Sequence, residues 1–306
     1  MRPIQEIHWT RTVPRAYEDR MIEQTTLSWN GLALAGTLYL PERASGRVAA
    51  TVSASGFGGV KEMVLPAFAE RLADVGIATL IFDYAGFGGS GGAPRQHVDP
   101  IAQIEQLKCA LDHLAADPRV DPKRLGAWGP SMAGGHTLCL AATEPRVRCA
   151  VAIVPFISSQ GSEPDPNLIA RVLSDAEARG RGEPGGMVAS AGRPGELAVM
   201  NSDGAWAWSK RMTADAPNFR NEITLASLLE VGNYRPGELA AEIKVPLRVI
   251  LAADDTITPA ANVREALAPV RDLDVVEYPD THFELFEEHG EAAQHATAEW
   301  FLRHLM

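Results

Sequence analysis

Three places in the sequence carry residue types that together supply a nucleophile, an acid and a base. The first is Trp128-Gly-Pro-Ser-Met-Ala-Gly-Gly-His136, where the apolar run "RLGAW" meets the helical pattern "TLCLAATEPRV". Helix propensity does not explain this stretch, because its three glycines cost backbone entropy. A sharp strand-to-helix turn that pushes one side chain into strained exposure does explain it, since such a turn needs small residues on both sides. Gly129-Pro130-Ser131-Met132-Ala133 has this nucleophile-elbow form. Ala133 stands where the G-x-S-x-G pattern has its last glycine, and Gly134 follows directly.

A serine hydroxyl attacks well only if a base within hydrogen-bond reach takes its proton and an acid orients that base. On an elbow scaffold the three follow in the chain order Ser, Asp/Glu, His. Downstream, "VILAADDTITP" ends a buried run in the pair Asp254 and Asp255, in a turn closed by Pro259. "VVEYPDTHFELF" ends the last strand-like run in His282. Both stretches fall at the C-terminal ends of expected parallel strands, where open α/β sheets bind ligands. On residue type alone, either aspartate fits.

The other histidines fit less well. His136 shares a helix with Ser131 and points away from its hydroxyl, so it reads as a core residue. His8 belongs to the N-terminal arm, while His113, His289, His295 and His304 fall on helical patterns and are expected at the surface. His97, in a Gly-rich loop, is a candidate for substrate contact at a pocket rim. An oxyanion forming on a substrate needs two aligned donors. The expected pair is the backbone N–H of Met132, next after the serine, and that of Phe57 in "SASGFGGVKEM", where Gly56 lets the backbone turn inward.

These residues need a scaffold. "MIEQTTLSW", Asn30-Gly31 and "LALAGTLYLP" read as a hairpin, with "RVAATVSA" as the third strand of a meander. Beyond it, strands alternate with helical stretches, as in a parallel sheet with crossover helices: "IATLIFD", "RLGAW", "VRCAVAIV", "VPLRVILA" and "LDVVEY" are the strands. The total is about eight strands. Residues 155–236 break the alternation with Gly/Pro-rich and helix-like pieces. A segment this long is expected to form a helical cap rather than a bare loop. "DYAGFGGSGG" matches G-x-G-x-x-G, but Gly92 to His97 intervene before any helix begins, and the preceding strand is not the first of its sheet. Dinucleotide binding is therefore not expected, and a turn lining the mouth of a site is. Neither a G-x-x-x-x-G-K-[ST] nor an H-E-x-x-H motif occurs.

The 28 basic and 39 acidic side chains give a net charge of −11, which argues against nucleic acid or an anionic membrane as partner. No apolar run approaches the ~20 residues of a membrane span. "MRPIQEIHWTRTVPRAYEDR" holds no apolar core of a secretory signal. The three cysteines, Cys109, Cys139 and Cys149, lie in apolar runs and read as buried free thiols, so a reducing, cytoplasmic location is expected.

The order of "SGFGGVKE", "DYAGFGGSGG", "GPSMAGG", "DDTITP" and "HFELF" resembles the α/β-hydrolase superfamily over nearly the whole chain. More narrowly, with Lys61-Glu62 and "NEITLASLLEVGNYRP", it is similar to the polyketide transferase-like and dienelactone hydrolase-like branch. The resemblance implies a Ser131, Asp255 and His282 triad, because the family's acid stands four residues before a proline, as Asp255 does before Pro259. Turn reasoning agrees: adjacent aspartates cannot both point at the histidine. Asp254 is then expected to face into the loop and bond backbone N–H groups. Two departures bear on substrate contacts: Ser55-Gly56 replaces the family's His-Gly, and Ala85 stands where an arginine is common. Dienelactone hydrolases use a cysteine nucleophile, which Ser131 argues against.

The expectation is an α/β-hydrolase fold with a mostly parallel sheet, helices on both faces, a core over 1–154 and 237–306, and a cap over 155–236. The expected activity is hydrolysis of carboxylic esters or thioesters through an acyl-enzyme, with no cofactor or metal. The same machinery would serve acyl transfer, or cleavage of C–C or peptide bonds. A binding protein that keeps only the fold is expected to lose a triad position, and none is lost here. "AWAWSKRM" and "APNFR" are candidates for the wall of an acyl pocket. The expected partner is a small-molecule acyl substrate, with neither nucleic acid nor membrane, and a homodimer is the candidate assembly.

Overall fold

Asn30 and Gly31, at φ 49° and 78°, turn β1 (Arg20–Trp29) back onto β2 (Leu32–Pro41) in antiparallel register from Arg20↔Pro41 to Trp29↔Leu32. Positive φ at both turn residues matches the twist of a hairpin, which is why Asn-Gly signals one. The computed structural model describes residues 20–42, 46–159 and 165–306; the N-terminal arm with His8 lies outside the described residues.

β3 (Val48–Ala54) does not continue the hairpin as a meander. β4 (Ala78–Phe82) lies between them, antiparallel to β2 and parallel to β3. The connection is the reason: α1 (Leu65–Asp74) carries the chain over the sheet, and a crossover of that kind delivers a parallel neighbour. α2 (Pro100–Ala116), capped by the Asp99 carboxylate on the N–H groups of Ile101 and Ala102, leads to β5 (Val120–Pro130). α3 (Met132–Thr143) leads to β6 (Val147–Ile153).

After β6 come α4 (Pro166–Gly180), β7 (Met187–Gly192), β8 (Ala198–Asn201), α5 (Asp203–Asp215), β9 (Ile223–Thr224) and α6 (Ser227–Asn233). The main sheet resumes with β10 (Leu247–Ala252), α7 (Ala260–Leu267), β11 (Leu273–Tyr278) and α8 (Gly290–Leu305). Its order is β1-β2-β4-β3-β5-β6-β10-β11, eight strands, parallel from β4 onward.

The central strands alternate between two buried cores, as a sheet covered on both faces requires. Leu80, Ala127 and Val249 join α2, α3 and α7 on one face. Ile81, Trp128 and Ile250 join α1 and α8 on the other, where Phe68 stacks on Trp128 at 5.2 Å. α3 is buried all round from Met132 to Ala141, which its nearly unbroken small and apolar sequence allows.

The insertion is not helical alone. β7 pairs parallel with β8 and antiparallel with β9 in a separate three-stranded sheet. These strands were hidden in the sequence because β7, "MVASAG", has no apolar alternation and β9 is only two residues long. The insertion is stitched to the loop after β4: Thr224 N donates to Gln96 O at 2.9 Å, and Val98 N to Ser227 Oγ at 2.8 Å. Cys139 and Cys149 are buried, whereas Cys109 is half-buried on α2, with its Sγ on Ser28 O at 3.2 Å. Among the described residues no helix is long and apolar enough to cross a membrane.

Candidate active site

β5 passes into α3 through a single residue, Ser131, at φ 53° and ψ −118°. For a residue with a Cβ this backbone is strained, and such strain persists only where surrounding packing imposes it. The packing is visible in what an added Cβ would meet. At Gly129 it would stand 2.6 Å from the carbonyl carbon of Ala133, and at Gly134 2.9 Å from Pro155 Cα. Ser131 N donates to Ile153 O at 2.8 Å, and Ser131 O accepts from Phe156 N at 2.9 Å, which locks the turn to the end of β6. Ser131 sits at the N-cap position, yet its hydroxyl does not cap α3. The first-turn N–H groups are therefore not taken by it, and they face the site with the positive end of the helix dipole.

The hydroxyl pairs with His282 instead: Ser131 Oγ lies 3.1 Å from His282 Nε2. On the other side of the ring, His282 Nδ1 is 2.7 Å from Asp255 Oδ2. A carboxylate accepts, so Nδ1 carries the hydrogen and Nε2 is left to accept from the serine. Asp255 follows β10 and its carboxylate is fully buried. Oδ1 accepts from the N–H groups of Ile257 and Thr258, both at 2.8 Å, and Oδ2 accepts from Thr258 Oγ1 at 2.9 Å. Burial pushes this carboxyl up, but the His282 contact and the Thr258 donors outweigh it and hold its pKa below the usual aspartate value. The structure thus brings Ser131, His282 and Asp255 together from the ends of three strands.

The loop after β3 closes over the elbow. An added Cβ at Gly56 would stand 3.2 Å from Ser131 Cβ and 3.8 Å from Met132 N, so Gly56 permits a close backbone approach beside Phe57. β3 lies between β4 and β5, where the strand order reverses, the usual place for a ligand crevice in such sheets. A small cavity of about 70 Å³, open on one side to solvent, is bounded there by Phe57, Ser131 and His282 from the core and by Met200, Trp208 and Phe219 from the insertion. Trp208 stacks on Phe283 at 5.4 Å, and Phe283 meets the His282 ring edge-on at 5.2 Å. Among the described residues, no Asp, Glu, Lys or Arg side chain lines this cavity.

Several expectations need correction. Asp254 does not bond the turn's N–H groups: it is exposed, and Asp255 accepts those of Ile257 and Thr258. His97 does not reach the cavity; its Nδ1 pairs with Thr224 Oγ1 at 2.8 Å. The Gly-rich loop is likewise absent from the cavity lining. It wraps the buried Asp83 carboxylate, and an added Cβ at Gly88 would stand 2.2 Å from Asp83 Oδ2. His289 is only half-exposed, paired through Nδ1 with Asp280.

His136 is a core residue as expected, its ring nitrogens 2.8 Å from Tyr234 Oη and 3.0 Å from Gln103 Oε1. Trp208 and Phe219 line the cavity, while Trp206 lies under Arg193 at 5.0 Å. Thr258 was missed by residue reasoning, although a hydroxyl three residues after an aspartate in a turn is a readable local signal.

The PET hydrolase-like family matches residues 16–182, a span that includes the elbow and the loop after β3. The chain is 31% identical over 241 residues to the quorum-quenching protein AidA of Acinetobacter baumannii, across 77% of this chain and 79% of that protein. It is 32% identical over 248 residues to a thiohydrolase of Eupenicillium brefeldianum, across 76% of each. Proteins named polyketide transferases, from Penicillium, are also similar. Its fold superposes on that of DcsB, solved with a substrate analogue, at a TM-score of 0.84 and 25% identity, covering 93% of this chain and 99% of the other. With the family match spanning the elbow and relatives spanning three quarters of the sequence, the chain belongs to the PET hydrolase-like family of α/β hydrolases.

Proposed function

We propose that the chain is a serine hydrolase that cleaves carboxylic esters or thioesters of a small-molecule acyl substrate, with Ser131 as nucleophile, His282 as general base and Asp255 as the acid that orients it. The observation that carries this reading is the continuous relay of 3.1 Å from Ser131 Oγ to His282 Nε2 and 2.7 Å from His282 Nδ1 to Asp255 Oδ2. Ser131 Oγ attacks the acyl carbon while Nε2 takes its proton, and the buried Asp255 carboxylate stabilises the imidazolium that results. The oxyanion accepts the N–H groups of Met132 and Phe57. Collapse expels the alcohol or thiol, which leaves with the proton from Nε2. Water, deprotonated by the same nitrogen, then attacks the acyl-enzyme, releases the acid and restores the serine. No step calls on a cofactor. A cavity wall without Asp, Glu, Lys or Arg favours a neutral, largely apolar acyl group.

A fluorophosphonate should label Ser131, and Ser131→Ala should lose the label and at least ~10³-fold in kcat on an ester and thioester panel. A variant that still labels, or that hydrolyses at the wild-type rate, refutes the assignment. The similarity to proteins named polyketide transferases favours one second reading, acyl transfer on the same machinery. Transfer and hydrolysis differ only in what attacks the acyl-enzyme. A competing alcohol that converts most of the product from acid to ester would select the transferase reading.

A further inference from the structure

A lysine is seldom buried unless its charge is paired, and Lys61 is 9% exposed. Its Nζ lies 3.1 Å from Glu62 Oε1 and 3.4 Å from Asp83 Oδ2, and its backbone N donates to Asp83 Oδ1 at 2.7 Å. Asp83, at the end of β4, also accepts from Gly89 N at 2.9 Å, so two loops hold this carboxylate. Glu62 carries the network outward: its Oε1 accepts from Asn218 Nδ2 at 2.8 Å, across 156 positions of sequence. Its other oxygen is buried without a hydrogen-bond partner among the described residues. Burial works against both charges. The carboxylates of Asp83 and Glu62 nevertheless hold the lysine above its usual pKa, and Asn218 and Lys61 hold Glu62 below its own.

None of these side chains lines the cavity, yet both ends of the network adjoin its walls. Lys61 follows the loop of Phe57 and Gly59, and Asn218 immediately precedes Phe219 on the opposite wall. We propose that Lys61, Glu62 and Asn218 form a positioning bridge that sets the gap between the Phe57 loop and the Phe219 wall, and thereby the size of acyl group accepted. The inference rests on the Ser131 reading. Asn218 is exposed and Glu62 half-buried, so solvent reaches the outer end of the bridge. A hydrogen bond to a charged group is still stronger than one between neutral groups, and an ångström of misplacement at a reacting centre costs much of its rate. The bridge thus acts through the two walls without touching the substrate.

The test compares kcat and KM for an acetyl thioester and a bulky aromatic acyl thioester in wild type, Asn218→Leu, Glu62→Ala, the double variant and Glu62→Gln. Fluorophosphonate labelling of each protein runs alongside. Each of the first two variants should shift the ratio of kcat/KM between the two substrates by about tenfold. The double variant should shift it no further than either single one, and Glu62→Gln, which keeps an acceptor for Asn218, should recover most of the wild-type ratio. If Glu62→Ala fails to fold, Asn218→Leu still carries the test, because it removes one neutral donor and leaves the ion pairs in place. An unchanged ratio in variants that label normally, or additive shifts in the double variant, would overturn the bridge alone. A wild-type protein that does not label would overturn the Ser131 reading and the bridge with it.

Discussion

The elbow and the insertion face each other across one cavity and are built on opposite principles. On the elbow side the wall is backbone against backbone. Added Cβ atoms at Gly129, Gly134 and Gly135 would stand 2.5–2.9 Å from the carbonyl carbon of Ala133, Pro155 Cα and Phe156 O. On the insertion side the wall is side chains, with Trp208 on Phe283. Away from the cavity, Gly180, Gly182, Gly195 and Gly232 have open space around them, although an added Cβ at Gly192 would stand 2.8 Å from Ala198 Cβ. Close-packed backbone admits one geometry, which is what a reacting hydroxyl needs. Exchangeable side chains on a looser frame can be altered without moving that hydroxyl. On the proposed reading, chemistry belongs to the first wall and selection to the second.

The sharpest break of this contrast comes from Asp255→Asn. The amide would present a donor or a neutral acceptor where Nδ1–H now meets a buried carboxylate, so the imidazole would lose both its tautomer and its imidazolium partner. A fall in kcat of about 10⁴-fold is expected, with the urea midpoint far less affected. A loss below tenfold would mean that the elbow side does not depend on this relay.

The elbow and His282 were legible in the sequence because each needs a particular residue type at a particular place. Glycines mark where backbones touch, and chain order ranks the histidines. The eight strands of the main sheet were legible through their apolar runs. What was not legible depends on partners far away in sequence. β4 takes the place beside β2 because of a crossover, and β7 becomes a strand only by meeting β8 and β9. The link from Glu62 to Asn218 leaves no mark on either local pattern. Gly88 was visible as a glycine, but its reason, the Asp83 carboxylate, was not.

His136 tests the seam between the two walls, since it joins α3 to Tyr234 at the end of the insertion. Burial holds its pKa down to about 3, against 6.5 for an ordinary histidine. Between those values the unfolded chain binds a proton that the native state refuses. Stability from this group therefore rises with pH and is lost as pH falls from 6.5 towards 3. The slope is at most about 1.4 kcal/mol per pH unit. Urea unfolding at pH 7 and pH 5 should show a shallower loss in His136→Gln than in wild type, even though the variant starts less stable. Equal slopes would remove His136 from the account.

Trp208→Ala sharpens the contrast from the insertion side. Removing the ring that covers Phe283 should change kcat/KM for bulky relative to short acyl groups by about tenfold, while fluorophosphonate still labels Ser131. A uniform loss across all substrates would make this wall part of the chemistry.

The smallest effect is expected one residue from the largest. Asp254 is exposed and Asp255 is buried, although both follow β10. The N–H groups that a turn aspartate would accept, those of Ile257 and Thr258, already go to Asp255 Oδ1. What Asp254 contributes to the structure is its backbone, whose N–H donates to Asp280 O at 2.9 Å and holds this turn against the segment that leads to His282. A side-chain change leaves that bond in place. Asp254→Asn should therefore alter stability by less than about 0.5 kcal/mol, the range of surface substitutions away from special features. Its kcat should stay within about twofold of wild type, a shift of about 0.4 kcal/mol in the barrier. Steady-state kinetics on Asp254→Asn and Asp255→Asn side by side make the comparison. If catalysis collapsed in the exposed variant and survived in the buried one, the relay through Asp255 would be refuted, whatever its distances.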